Sequence, residues 1–124
     1  MIRVIIALGS NTRQAAHIQW ATQRVASLLA NSSGDGARSV RLSRTIWTSD
    51  YCGTGSMYMN RLIIGDTDFS CNDLILALKN IESETGRTHG QVTIDLDLMQ
   101  YGTIRYHEKD WSRSYIQQLI TDVI

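Results

Sequence analysis

Val92-Thr93-Ile94-Asp95-Leu96-Asp97-Leu98-Met99 alternates apolar and polar residues along its length. That is the period of a β-strand with one buried face. Val92, Ile94, Leu96 and Leu98 are expected to enter a core, with Thr93, Asp95, Asp97 and Met99 on the other face. Before this strand, Ser70-x-x-Asp73 reads as a capping box. It opens a helix with Leu74, Ile75, Leu78 and Ile81 on its buried side, and Gly86 is placed to end it. Further upstream, Tyr58 to Ile64 and Val40 to Thr48 read as strands. Asp50 to Ser56 joins them, and Asn31 to Gly36 is a loop by composition. From Gln14 to Ala30 an apolar stripe (Ile18, Ala21, Val25, Leu28, Leu29) marks an amphipathic helix that Asn11 or Thr12 can cap. Val4 to Leu8 is the first strand. After Tyr101-Gly102, the tail Ser112 to Ile124 has helical spacing. The order is β-α-β-β-α-β plus a C-terminal helix. It predicts an α+β, ferredoxin-like split plan: an antiparallel sheet with two helices on one face.

The chain has 124 residues, which suits one domain, and 43% of it is hydrophobic. Lys plus Arg and Asp plus Glu balance at 12 each, so no net field attracts nucleic acid or an anionic membrane. No apolar run approaches the ~20 residues of a membrane span, and the N-terminus does not read as a signal peptide. Cys52 and Cys71 are too few for a disulfide scaffold, so a reduced cytoplasm is the expected compartment. The sequence leaves the oligomeric state open.

Asp95 and Asp97 carry the chemistry. Two strand residues apart, their Cα atoms stand about 6.5–7 Å from one another. Carboxylates that close disfavour being charged together. A hard cation such as Mg²⁺ removes the conflict, because it takes carboxylate oxygens and shares them with phosphate. An RNA-binding module has the same element order, but it needs exposed aromatics on its central strands. Here the acidic strand would repel phosphate unless a cation intervened.

Ala7-Leu8-Gly9-Ser10-Asn11, Tyr58-x-Asn60, Ile81-Glu82, Gly86-Arg87, Thr93-Ile94-Asp95-Leu96-Asp97-Leu98, Tyr101-Gly102 and the series His107, Arg113, Tyr115 occur in this order. Together they resemble the 6-hydroxymethyl-7,8-dihydropterin pyrophosphokinase family over nearly the whole chain, and imply one such domain over residues 1–124. The resemblance implies transfer of pyrophosphate from ATP to the hydroxymethyl group of a reduced pterin, on the route to folate. By analogy, Asp95 and Asp97 would ligate two Mg²⁺ ions, and Arg87 would serve in catalysis. Tyr58 and Tyr115 would stack on the pterin and Asn60 would bond its polar edge, with Ser49 and Cys52 in the pterin pocket. Glu82, Arg87, Leu98, His107 and Arg113 would meet the nucleotide.

The chain departs from the family pattern at several places. The segment before the acidic strand is only Thr88-His89-Gly90-Gln91-Val92. Gln91 and Val92 stand where a Pro-Arg pair is expected, and His89 where a tryptophan is. Valine offers neither the charge nor the bidentate phosphate contact of arginine, so the lid is shortened. Asp50-Tyr51 replaces Pro-Pro, and Glu108 replaces an aromatic beside His107. Trp47 reads as a core residue. Arg87, Arg105 and Arg113 are the remaining cations expected near phosphate. A catalytically degenerate relative that binds nucleotide, pterin or a protein partner without turnover is the alternative.

Overall fold

The computed structural model describes residues 1–33, 40–49, 55–86 and 91–124. Strand β1 (Ile2–Ser10) leads to α1 (Gln14–Ser33), then β2 (Arg41–Leu42), β3 (Ile46–Ser49) and β4 (Met57–Thr67). Next come α2 (Cys71–Ser83), β5 (Asp95–Tyr101), β6 (Ile104–Arg105), α3 (Glu108–Trp111) and α4 (Ser114–Val123). The described strands form one antiparallel sheet in the order β2-β4-β1-β5-β6, with β3 also on β4. Helix α1 carries the chain from β1 to β2 and β3, and β4 returns between them. Helix α2 then leads to β5 on the far side of β1. This is the split ferredoxin-like arrangement, so the α+β reading stands.

Pleat alternation gives the sheet two apolar faces. Val4, Ile6, Leu8, Ile63, Leu96 and Leu98 pack against Ile18, Val25 and Leu29 of α1 and Leu74, Leu78 and Ile81 of α2. Ile5, Leu62, Ile64 and Met99 pack against Trp111, Ile116, Leu119, Ile120 and Val123. Each aliphatic chain withdrawn from water gains about 1.5–3 kcal/mol. The C-terminal helix is therefore a lid on the second face. It is divided from the short α3 by Ser112 and Arg113.

Ser70 caps α2 as expected, its Oγ accepting the Asp73 N–H at 3.2 Å. Gly86 follows the helix with φ +66°, a conformation that favours glycine. Several expectations fail for local reasons. Helix α1 runs on through Asn31-Ser32-Ser33, and Gly34-Asp35-Gly36 lies outside the described residues. The Val40–Thr48 strand breaks at Ser43, whose own Oγ accepts the Leu62 N–H at 2.8 Å. Strand β5 begins at Asp95 rather than Val92. Thr93 is buried and hydrogen-bonded to the Thr85 hydroxyl instead of facing out. Met99 is buried too, because α4 covers the face it points to. Trp47 is 54% exposed rather than in the core, since α4 packs on Ile46 and the pleat turns Trp47 the other way.

Candidate active site

Asp95 and Asp97 project from β5 on the face that α4 covers further along. The register between β1 and β5 slips by one residue: Ile5 faces Gln100 while Ile6 faces Leu98, leaving Met99 as the extra residue of a β-bulge. Up to the slip, the acidic half of the strand keeps strict alternation, with Leu96 and Leu98 inside and both carboxylates out. Asp97 has 37% of its side chain exposed, and its Oδ1 lies 3.9 Å from His107 Nε2. His107 has φ 55°, a left-handed conformation uncommon for a residue with a side chain. On the other flank, Glu82 Oε2 accepts the Leu96 N–H at 2.8 Å. The end of α2 is thereby tied to the acidic strand.

Two cavities meet at these carboxylates. One, about 310 Å³, has Tyr58, Asn60, Ser49 and Thr48 on one side and Tyr115 and Leu119 of α4 on the other. The second, about 510 Å³, lies over the outer edge of β5 between Glu82, Lys79, Leu98 and His107. Asp95 and Asp97 line both. In the first, the Asn60 amide nitrogen donates to Thr48 Oγ1 at 2.9 Å. Its Oδ1 lies over Gly9, where an added Cβ would come within 3.6 Å of it. Asn60 is buried, and no donor among the described residues meets that oxygen. A buried acceptor without a donor calls for one from outside the protein. Arg61 also lines this cavity, but its guanidinium turns toward α1, donating to Ser43 O at 3.0 Å and Thr22 Oγ1 at 3.2 Å. Burial there lowers its pKa.

The structure thus brings together Asp95, Asp97, Tyr58, Asn60, Ser49 and Tyr115 at one cavity, and Glu82, Leu98 and His107 at the other. Tyr115 also packs against the α4 core. Arg113 lines neither; its Nε donates to Asp110 Oδ1 at 2.8 Å, and Asp110 is on the first cavity's wall. Arg105 lines neither, because β6 carries it to the far end of the sheet face. Cys52 and Arg87 lie outside the described residues, as do Asp50, Tyr51 and His89. No cluster of three or more His, Cys, Asp or Glu side chains able to hold a metal occurs among the described residues. A carboxylate pair fits Mg²⁺ that brings phosphate oxygens as its other ligands, not an all-protein cage.

The sequence model of the 7,8-dihydro-6-hydroxymethylpterin-pyrophosphokinase (HPPK) family matches residues 5–124. The chain belongs to the HPPK family. It is 29% identical over 133 aligned positions to the mitochondrial folate synthesis bifunctional protein of Pisum sativum, covering 98% of this chain and 25% of that protein. It is 29% identical over 79 positions to the Arabidopsis thaliana protein of the same description, covering 54% and 14% respectively. The chain thus spans about a quarter or less of the length of these relatives.

In this HPPK member two side chains have positions that the sequence reading did not give them. Lys79 lines the outer cavity from the same helical face as Ile75, Leu78 and Glu82. Their spacing was a legible signal. Asn11 is not a helix cap. Its Oδ1 accepts the Val92 N–H at 2.7 Å, and its Nδ2 donates to the Tyr58 hydroxyl at 3.5 Å. The Asn11 N–H also donates to Val92 O at 2.9 Å. No local pattern announces such a bond between residues 11 and 92. Asn11→Ala leaves the partly buried Val92 N–H without its acceptor. That costs about 1–2 kcal/mol, and the thermal midpoint should fall by several degrees. A midpoint equal to that of the parent protein would show the tie to be idle.

Tyr106, at the rim of the outer cavity, bonds the Cys71 thiol at 3.3 Å. This bond, helped by desolvation, raises the tyrosine pKa above its ordinary 10.0. A raised acid pKa means that the folded state holds the proton more tightly. The contribution is therefore complete below pH 10.0 and is lost as pH climbs through the folded value. Cys71→Ala should move one tyrosine titration, followed by ultraviolet absorbance, back down toward the ordinary value. An unchanged titration curve would assign the shift to another cause.

Proposed function

We propose that this chain transfers the pyrophosphoryl group of ATP to 6-hydroxymethyl-7,8-dihydropterin and releases AMP, as one catalytic domain over residues 1–124. The observation that carries this reading is that Asp95 and Asp97 line two cavities at once. One cavity suits a flat heterocycle. Tyr58 and Tyr115 offer ring faces for stacking, and Asn60 Oδ1 offers an acceptor to a ring N–H. The other suits a nucleotide. Pleat alternation points the Leu98 main chain the same way as that of Leu96, away from β1, where it can bond a base edge. Lys79 and His107 are the cationic and imidazole groups beside the phosphates, and Glu82 keeps the strand edge in position.

Asp95 and Asp97 would hold Mg²⁺, two ions in this reading, which when bound neutralise the polyphosphate and polarise the attacking and leaving oxygens. Transfer of this kind asks the protein mainly for positioning and charge neutralisation. The α4 wall and the Asn60 contact orient the hydroxymethyl group toward the carboxylate ridge. Arg87 and Arg113 are proposed to neutralise phosphate charge, Cys52 and Ser49 to complete the pterin pocket. The balanced net charge gives no reason to add nucleic acid as a partner. No helix among the described residues is long and apolar enough to cross a membrane. The relatives' names place them in mitochondria; for this chain a reducing cytoplasm is proposed from its cysteine usage.

A second reading rests on Val92. Where the family pattern has arginine, this residue spends its main chain on Asn11 and carries no charge. A relative that binds nucleotide or pterin without turnover would look like this. Incubation with ATP, Mg²⁺ and the hydroxymethyl pterin, with AMP as the readout, decides between them. AMP formation supports the enzyme, whereas calorimetric binding with no AMP at high protein concentration supports the silent relative.

A further inference from the structure

A third cavity, about 320 Å³, lies on the α4 face of the sheet beyond the bulge and, among the described residues, shares no lining residue with the two cavities at Asp95 and Asp97. Its floor is aliphatic, with Ile5, Ile64, Ile120 and Val123 all part of the core beneath α4. Its rim carries Arg3, Arg41 and Arg105 together with Ile124, and among the described residues no acidic side chain lines it. These arginines come from β1, β2 and β6. In the sheet order, Arg3 stands two strands from each of the others, about 10 Å at ordinary strand spacing.

The three guanidinium groups are not equivalent. Arg3 is already neutralised, its Nε and Nη2 donating to Asp66 at 3.1 and 3.3 Å. Arg105 lies over the Trp111 ring, with its guanidinium carbon 4.1 Å from the ring centroid. Trp111 is itself fixed by its indole N–H, which donates to Tyr106 O at 3.0 Å. Among the described residues no carboxylate pairs with Arg41 or Arg105. A planar guanidinium both forks a carboxylate and stacks on a ring. An apolar floor of this volume takes a ring-sized body.

We propose that this pocket is a second ligand site that binds a small aromatic carboxylate, its ring on the aliphatic floor and its charge on Arg105, with Arg41 adding positive potential from the opposite rim. The site is independent of the pyrophosphokinase reading. Titration of nitrogen-labelled protein with naphthoate, followed by NMR, tests it. The Trp111 indole N–H resonance should move while those of Trp20 and Trp47 stay. The neutral analogue naphthylmethanol should bind at least about tenfold more weakly, as expected for loss of a charged hydrogen bond. The double variant Arg41→Gln, Arg105→Gln should weaken naphthoate by a similar factor. Asp97→Asn should leave the titration unchanged. A silent Trp111 resonance, equal binding of acid and alcohol, undiminished binding by the double variant, or loss of binding with Asp97→Asn would each overturn the proposal.

Discussion

Replacing Asp97 by asparagine is expected to slow AMP formation by about a hundredfold or more, the loss typical when one preorganised charge-stabilising group is removed. Asparagine keeps the size of the side chain and removes its charge. The fold should not suffer, because Asp97 is 37% exposed and its neighbours Leu96 and Leu98 supply the packing. Asp97 lines both cavities, and in the proposed reaction it serves both substrates. The loss should therefore appear in turnover and in Mg²⁺-dependent nucleotide affinity together. Initial rates of AMP release, paired with a circular dichroism spectrum, measure it. A loss of less than about threefold would place the metal elsewhere and remove the central support for the enzyme.

The second large effect is on stability. Leu119→Ala should cost about 2–5 kcal/mol, the range for buried leucine truncations that leave a cavity. Leu119 is fully buried in α4, and its side chain is shared between the second core and the wall of the first cavity. With total stabilities of about 5–15 kcal/mol usual for domains, a urea midpoint should drop sharply with the slope unchanged. Leu76→Ala is the control: Leu76 is exposed on α2, and its truncation should change stability by about 0.5 kcal/mol or less. Similar midpoints for the two variants would mean that α4 is only loosely seated.

The acidic strand was readable because two-residue periodicity is a local signal, and so was α2, which carries its start and stop in Ser70 and Gly86. The α4 lid was half readable. Its apolar stripe at Ile116, Leu119, Ile120 and Val123 marks a helix, but nothing in a single helix says which sheet face it will cover. Met99 was misplaced for that reason, and Trp47 because strand periodicity does not tell which of two faces stays bare. Ser43 defeats pattern reading in another way, since a side chain replaces a main-chain acceptor there. At the site, Tyr58, Asn60 and the aspartates follow from motif and pleat. The Asn11–Val92 tie depends on a contact between distant segments, which no window of sequence contains, whereas Lys79 shares a readable helical face with Glu82.

The extra residue at Met99 sets the phase of the whole strand. It lets the acid-bearing half and the half that anchors Tyr101, whose hydroxyl donates to Phe69 O at 2.7 Å, each keep its own side of the sheet. Excising one residue here would turn either the carboxylates inward or Tyr101 outward. A length change near this strand is better accommodated in the connections on either side of it than within it.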